Sequence, residues 1–132
     1  MSNEFIHEVK VYYEDTDSGG VVYYSNYLNF LERARTEMIN SLGLSNKKLL
    51  EEHNTLIIVK SCNIEYIKPA VLEDKIQINS SIESFNKASF VMIQNISKNN
   101  DLIVRAKLKL VTVNADGKPV KIPSVLEKQI TN

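Results

Sequence analysis

Between Leu102 and Val111 the chain alternates: Leu102, Val104, Ala106, Leu108 and Leu110 fall on one side, and Ile103, Arg105, Lys107, Lys109 and Val111 on the other. Period two over that length requires an extended strand, here read as Leu102 to Val113, with one face in a core and a largely charged face toward water. Three further runs supply its partners: Leu56 to Ile67, Lys75 to Phe85 and Ala88 to Ser97. Pro69, the cluster from Lys98 to Asp101 and the Asp116-Gly117 pair stand between them as turn signals.

Upstream, Phe5 to Tyr13 also reads as a strand, with His7, Val9, Val11 and Tyr13 opposite Ile6, Glu8, Lys10 and Tyr12. The stretch Glu14 to Ser25 is an ordered loop, where Gly19-Gly20 marks backbone that bends tightly or is closely approached. Ser25 or Asn26 can cap a long helix, because Tyr27, Phe30, Leu31, Ala34, Met38 and Leu42 recur at steps of three and four until Gly43. A shorter helix is expected from Ser45 to near His53. One long amphipathic helix among antiparallel strands is an α+β pattern, and a sheet curled around the helix buries both apolar faces. Cystatin-like and nuclear-transport-factor-like arrangements satisfy the same burial argument.

The chain has 132 residues, 43% hydrophobic and 24% charged, which suits one domain over 1–132 with a single core. Lys+Arg and Asp+Glu are equal at 16 each, so no overall field draws nucleic acid or an anionic membrane. Met1 to Lys10 has no apolar run fit for a signal peptide and no stretch is long enough to span a bilayer, so a cytoplasmic protein is expected. The lone Cys62 agrees with a reducing compartment and, mid-strand with Ile64 and Tyr66 on its parity, is expected in the core.

Chemistry concentrates before the long helix, where Glu14, Asp15 and Asp17 sit beside two glycines. A helix start offers unpaired N–H groups to an oxyanion, and a nearby carboxylate can attack or deprotonate water; equally, loop aspartates commonly cap turns. His7 and His53 fall away from this loop and read as structural or surface residues. Without a second histidine or cysteine at ligand spacing no metal is expected, and nothing in the residues calls for a cofactor.

The run VYYEDTDSGGVVYYSNYLNFLERARTEM, Val11 to Met38, resembles the signature of the 4-hydroxybenzoyl-CoA thioesterase family, and within it the bacterial acyl-CoA thioesterases associated with the Tol-Pal system. Weaker stretches, SCNIEYIKPAVLEDKI, KASF and GKPVKIP, extend the likeness along nearly the whole chain. The resemblance implies a hotdog fold, dimers whose sheets join, often paired into homotetramers, and active sites at subunit interfaces. It implies hydrolysis of an acyl-CoA, or of an acylated acyl carrier protein, to a free acid and a thiol. The catalytic carboxylate would be Asp17, as nucleophile or general base, and the backbone N–H of Tyr24 would polarise the thioester carbonyl. Many Tol-Pal-type members carry histidine at the Tyr24 position, whereas the hydroxybenzoyl enzymes carry tyrosine. Gly20 and Asn26 would adjoin the substrate, with Lys87 and Ser89 at the CoA phosphates, although Lys87 also reads as a solvated turn lysine and Asn86 stands where some relatives have arginine. Two other functions compete: a non-catalytic acyl-thioester-binding module, and a hotdog dehydratase, which would want a catalytic histidine that the chain does not place.

Overall fold

The computed structural model describes residues 4–130, so Met1 to Asn3 of the segment read for a leader lie outside it. These residues form five strands and three α-helices: β1 (Phe5–Lys10), α1 (Asn26–Ser41), α2 (Asn46–His53), β2 (Leu56–Tyr66), β3 (Lys75–Phe85), β4 (Ser89–Lys98), β5 (Asp101–Val113) and α3 (Ser124–Ile130). The strands make one antiparallel sheet in the order β1-β3-β4-β5-β2. α1 packs on its inner face through Tyr27, Phe30, Leu31, Ala34 and Met38, against Ile76 and Ile78 of β3, Met92 and Ile96 of β4, and Ala106, Leu108 and Leu110 of β5. This is the hotdog arrangement, a curled sheet around one long helix.

The local signals explain most boundaries. Ser45 Oγ accepts from the Lys48 N–H at 3.0 Å and starts α2, and α1 ends before Gly43, whose φ of +81° reverses the chain without cost to a side chain. Ser25 precedes α1 but makes no side-chain cap, and Asn26 is already its first helical residue. β1 stops at Lys10 rather than Tyr13, because Val11 pairs with the segment before β3 and Tyr13–Asp15 forms a 3-10 turn. Tyr13 consequently points outward, 80% exposed. α3 has no counterpart in the strand-and-turn reading of the C-terminal stretch.

Cys62 is a correction. It is exposed rather than in the core, because β2 is an edge strand with most of its residues exposed in the single chain. Partial burial still pushes its thiol pKa up, with Arg35 pulling the other way, so the sulfur is a poor nucleophile at neutral pH.

Candidate active site

The loop between β1 and α1 is a small hairpin closed by the Thr16–Val22 bridge, with Asp17 one residue inside it. The Asp17 N–H donates to the Val21 carbonyl at 2.9 Å, and the Gly20 N–H donates back to the Asp17 carbonyl at 3.1 Å. At Gly20 φ is +81°, which a side chain would strain. Val21 bridges to Val71 and the Val22 N–H bonds the Ala70 carbonyl, so the hairpin is docked on the segment leading into β3.

The two aspartates of the Asp-x-Asp element have different environments. Asp15 is 6% exposed, and both its oxygens are taken: Oδ1 by the Asn26 side-chain amide at 2.7 Å, Oδ2 by the Tyr12 N–H at 2.9 Å. Asp17 is exposed; its Oδ1 accepts from the Gly19 N–H at 2.8 Å, and Oδ2 has no partner among the described residues. One carboxylate is therefore spent on structure, and the other keeps an oxygen for chemistry.

Beyond the hairpin the chain turns into α1. The Asn26 N–H bonds the Tyr23 carbonyl at 2.8 Å, while the Tyr24 N–H makes no hydrogen bond among the described residues. A free, exposed N–H at a helix start can meet a developing oxyanion. Tyr24 also lines a cleft of about 240 Å³ with Val22, Tyr27, Tyr66 and Pro69. Tyr66 meets Tyr24 edge-on at 6.2 Å and Tyr27 at 5.6 Å between ring centroids. Burial pushes the pKa values of Tyr27 and Tyr66 up, so both stay neutral at physiological pH, and the Tyr27 oxygen accepts the Ala70 N–H at 3.0 Å.

The chain brings Asp17, Gly20, Tyr24 and Asn26 together in this one segment. Asn26 is committed at both ends, donating to Asp15 and accepting from Asn29 at 2.7 Å. Lys87 and Ser89 are elsewhere. The hairpin lies near the Lys75 end of β3, whereas Lys87 sits in the turn beyond Phe85 and Ser89 opens β4, ten strand steps or about 33 Å along the sheet. Lys87 is exposed and makes no ion pair among the described residues; Ser89 is half-buried. Also among the described residues, no three His, Cys, Asp or Glu side chains group to hold a metal ion, and no helix is long and apolar enough to cross a membrane. The sequence reading passed over Tyr66, whose place in the cleft depends on β2 reaching the end of the sheet beside Tyr27.

Residues 11–130 match the model of the Thioesterase-like superfamily. The chain belongs to that superfamily. Among thioesterase-like relatives, the acyl-CoA thioesterase YbgC of Haemophilus influenzae is 37% identical over 93% of this chain and 91% of its own length. A probable thioesterase from Bartonella henselae superposes with a TM-score of 0.89 at 31% identity, covering 92% of this chain and all of that one. The 4-hydroxybenzoyl-CoA thioesterase from Pseudomonas sp. strain CBS-3 shares the fold, with a TM-score of 0.87 at 23% identity over 94% of this chain and 97% of that one. The thioesterase-like fold thus carries, in this chain, a hairpin with one structural and one open carboxylate.

Proposed function

We propose that this single-domain chain is an acyl-CoA thioester hydrolase, converting an acyl-CoA and water into a carboxylic acid and the CoA thiol. The observation that carries this reading is that Asp17 Oδ2, inside the Thr16–Val22 bridge, and the Tyr24 N–H, two residues beyond it, both lack a hydrogen-bond partner among the described residues. The N–H would stabilise the oxyanion formed as the carbonyl becomes tetrahedral. Asp17 Oδ2 would either attack that carbonyl, giving an anhydride that water then opens, or take a proton from the attacking water. In both routes the sulfur leaves as thiolate and is protonated by solvent. Acylated acyl carrier protein would present the same thioester and is a second substrate to assay. The H. influenzae relative acts on acyl-CoA by its name, which supports the choice of thioester.

The separation of Lys87 from Asp17 supports an oligomer. β2 is a long edge strand exposing Ile58, Val59 and Tyr66, and an edge of that kind calls for a partner. If two copies pair antiparallel through β2, the Leu56 end of one lies beside the Tyr66 end of the other. Lys87 and Ser89 of one copy then approach the hairpin of the next, where Lys87 would hold a CoA phosphate as a point charge. Purified protein incubated with acyl-CoAs and a thiol-reactive dye tests the reading: wild-type protein should release thiol, and Asp17→Asn should not. No release for any acyl length would favour a binding module instead.

A further inference from the structure

A second cavity, of about 90 Å³, lies between the C-terminal half of α1 and the inner face of the sheet. Its walls are mostly apolar, including Met38, Ile39, Ile57, Phe90, Met92 and Leu110, and Arg35 enters it from α1. Arg35 is half-buried and its Nη1 donates to Gln94 Oε1 at 3.0 Å. Gln94 is fully buried and cannot turn away, because its Nε2 donates to the Leu31 carbonyl at 3.0 Å and to Ser80 Oγ at 2.9 Å. The guanidinium is thus aimed from within the core.

Among the described residues the rest of the guanidinium meets no acceptor. A guanidinium has five N–H donors, and the Gln94 bond uses one. Arg35 forms no ion pair and no other hydrogen bond among the described residues. Glu32, the nearest acid on its helix, has Oε2 occupied by Thr36 at 2.6 Å. Burial pushes the Arg35 pKa down, with Glu32 and Cys62 pulling it up, yet a guanidinium stays charged at physiological pH. A partly desolvated cation with unspent donors is costly unless an acceptor arrives, and its planar fork matches a carboxylate.

We propose that this cavity receives the far end of a short acyl group terminating in a carboxylate, with Arg35 reading that carboxylate and so setting the substrate class. This rests on the hydrolase reading and names its preferred thioester: the half-thioester of a dicarboxylic acid of about four carbons. The volume corresponds to about three water molecules at ~30 Å³ each, room for two methylenes and a carboxylate. The cavity reaches toward the Leu56 end of β2 through Ile57 and through Val59, which pairs with Leu110, the end that the proposed β2–β2 pairing would lay beside Tyr66 and Tyr24 of a second copy; the Arg35–Gln94 contact lies further along the sheet, level with Ile64.

Succinyl-CoA and butyryl-CoA test this, since both acyl groups have four carbons and differ in carboxylate against methyl. After subtraction of spontaneous hydrolysis, wild-type protein should favour succinyl-CoA in kcat/KM by at least about tenfold. Arg35→Gln should bring that ratio close to one, and Arg35→Lys, which keeps the charge without the fork, should give an intermediate value. Equal treatment of the two thioesters by wild-type protein, or a preference for butyryl-CoA, overturns the proposal, as it would if Arg35 met a carboxylate of a second copy or only water. An unchanged ratio in a folded Arg35→Gln protein overturns it as well. If Arg35→Gln does not fold, the lysine variant and the wild-type preference decide. If neither thioester is cleaved, the hydrolase reading fails separately, and calorimetric titration with the same uncleaved thioesters decides the pocket: tighter succinyl-CoA binding that Arg35→Lys weakens supports it, and equal affinities overturn it.

Discussion

The Asn26 side-chain amide donates to Asp15 Oδ1 at 2.7 Å, tying the first residue of α1 to the buried carboxylate of the loop that precedes it. Because the Tyr12 N–H takes the other oxygen at 2.9 Å, both partners of Asp15 are donors. Asp15→Asn replaces one acceptor with an amide that faces a donor. We expect a stability loss of about 1–3 kcal/mol in urea unfolding. Unfolding at the wild-type midpoint would remove Asp15 from this structural role.

Asp17→Asn leaves the fold alone, since the amide oxygen can still accept the Gly19 N–H that Oδ1 now accepts at 2.8 Å. Stability should stay within about 0.5 kcal/mol of wild type. Thiol release should fall by about 10²–10⁴ for loss of a base, and at least as much for loss of a nucleophile. Single turnover in ¹⁸O water bears on the two roles: label in Asp17 shows an anhydride opened at its aspartyl carbonyl, which a general base never forms, whereas trapping of the acylated Asp17 detects an anhydride opened at the acyl carbonyl. Near wild-type turnover in the variant would place the chemistry elsewhere.

Lys87→Ala should raise KM for acyl-CoA with little change in kcat, and added salt should weaken wild-type binding in parallel. The proposal that two copies share each site adds a sharper expectation for mixed subunits. Random pairing of Asp17→Asn with Lys87→Ala chains restores one intact site in each mixed dimer, about a quarter of wild-type activity at low substrate. Sites formed within one chain would show no such recovery. Light scattering should accompany the mixing, because a monomer near 15.0 kDa would contradict the β2 pairing.

Burial holds the Tyr27 hydroxyl above its usual 10.0, with the Ala70 N–H acting in the opposite sense. As pH rises past about 10 the unfolded chain releases this proton while the folded chain keeps it, so stability falls from there upward. Tyr27→Phe should lower stability at neutral pH, through the lost Ala70 bond, and flatten the decline above the usual tyrosine value of 10.0. An equally steep decline in the variant would assign it to other tyrosines.

The alternation in β5, the three-and-four spacing of Tyr27, Phe30, Leu31, Ala34 and Met38, and the Ser45 cap were legible in the chain because each depends on residues close in sequence. The Val11 to Met38 segment likewise carried its family likeness in contiguous residues. Strand order was not legible. β2 precedes β3 in sequence yet lies at the far edge beside β5, and that long-range pairing is why Cys62 is exposed and why Tyr66 reaches the cleft. Period two tells which residues share a face but cannot tell an edge strand from a central one. The same holds at the site: residue type and loop position do not distinguish Asp15 from Asp17, two acids with one residue between them, and only the family likeness singled out Asp17. Folding separates them, because Asn26 and Tyr12 close on one carboxylate and leave Oδ2 of the other open. Tertiary structure alone also set Lys87 at the opposite end of the sheet from Asp17, since an extended strand carries its two ends apart by about 3.3 Å per residue.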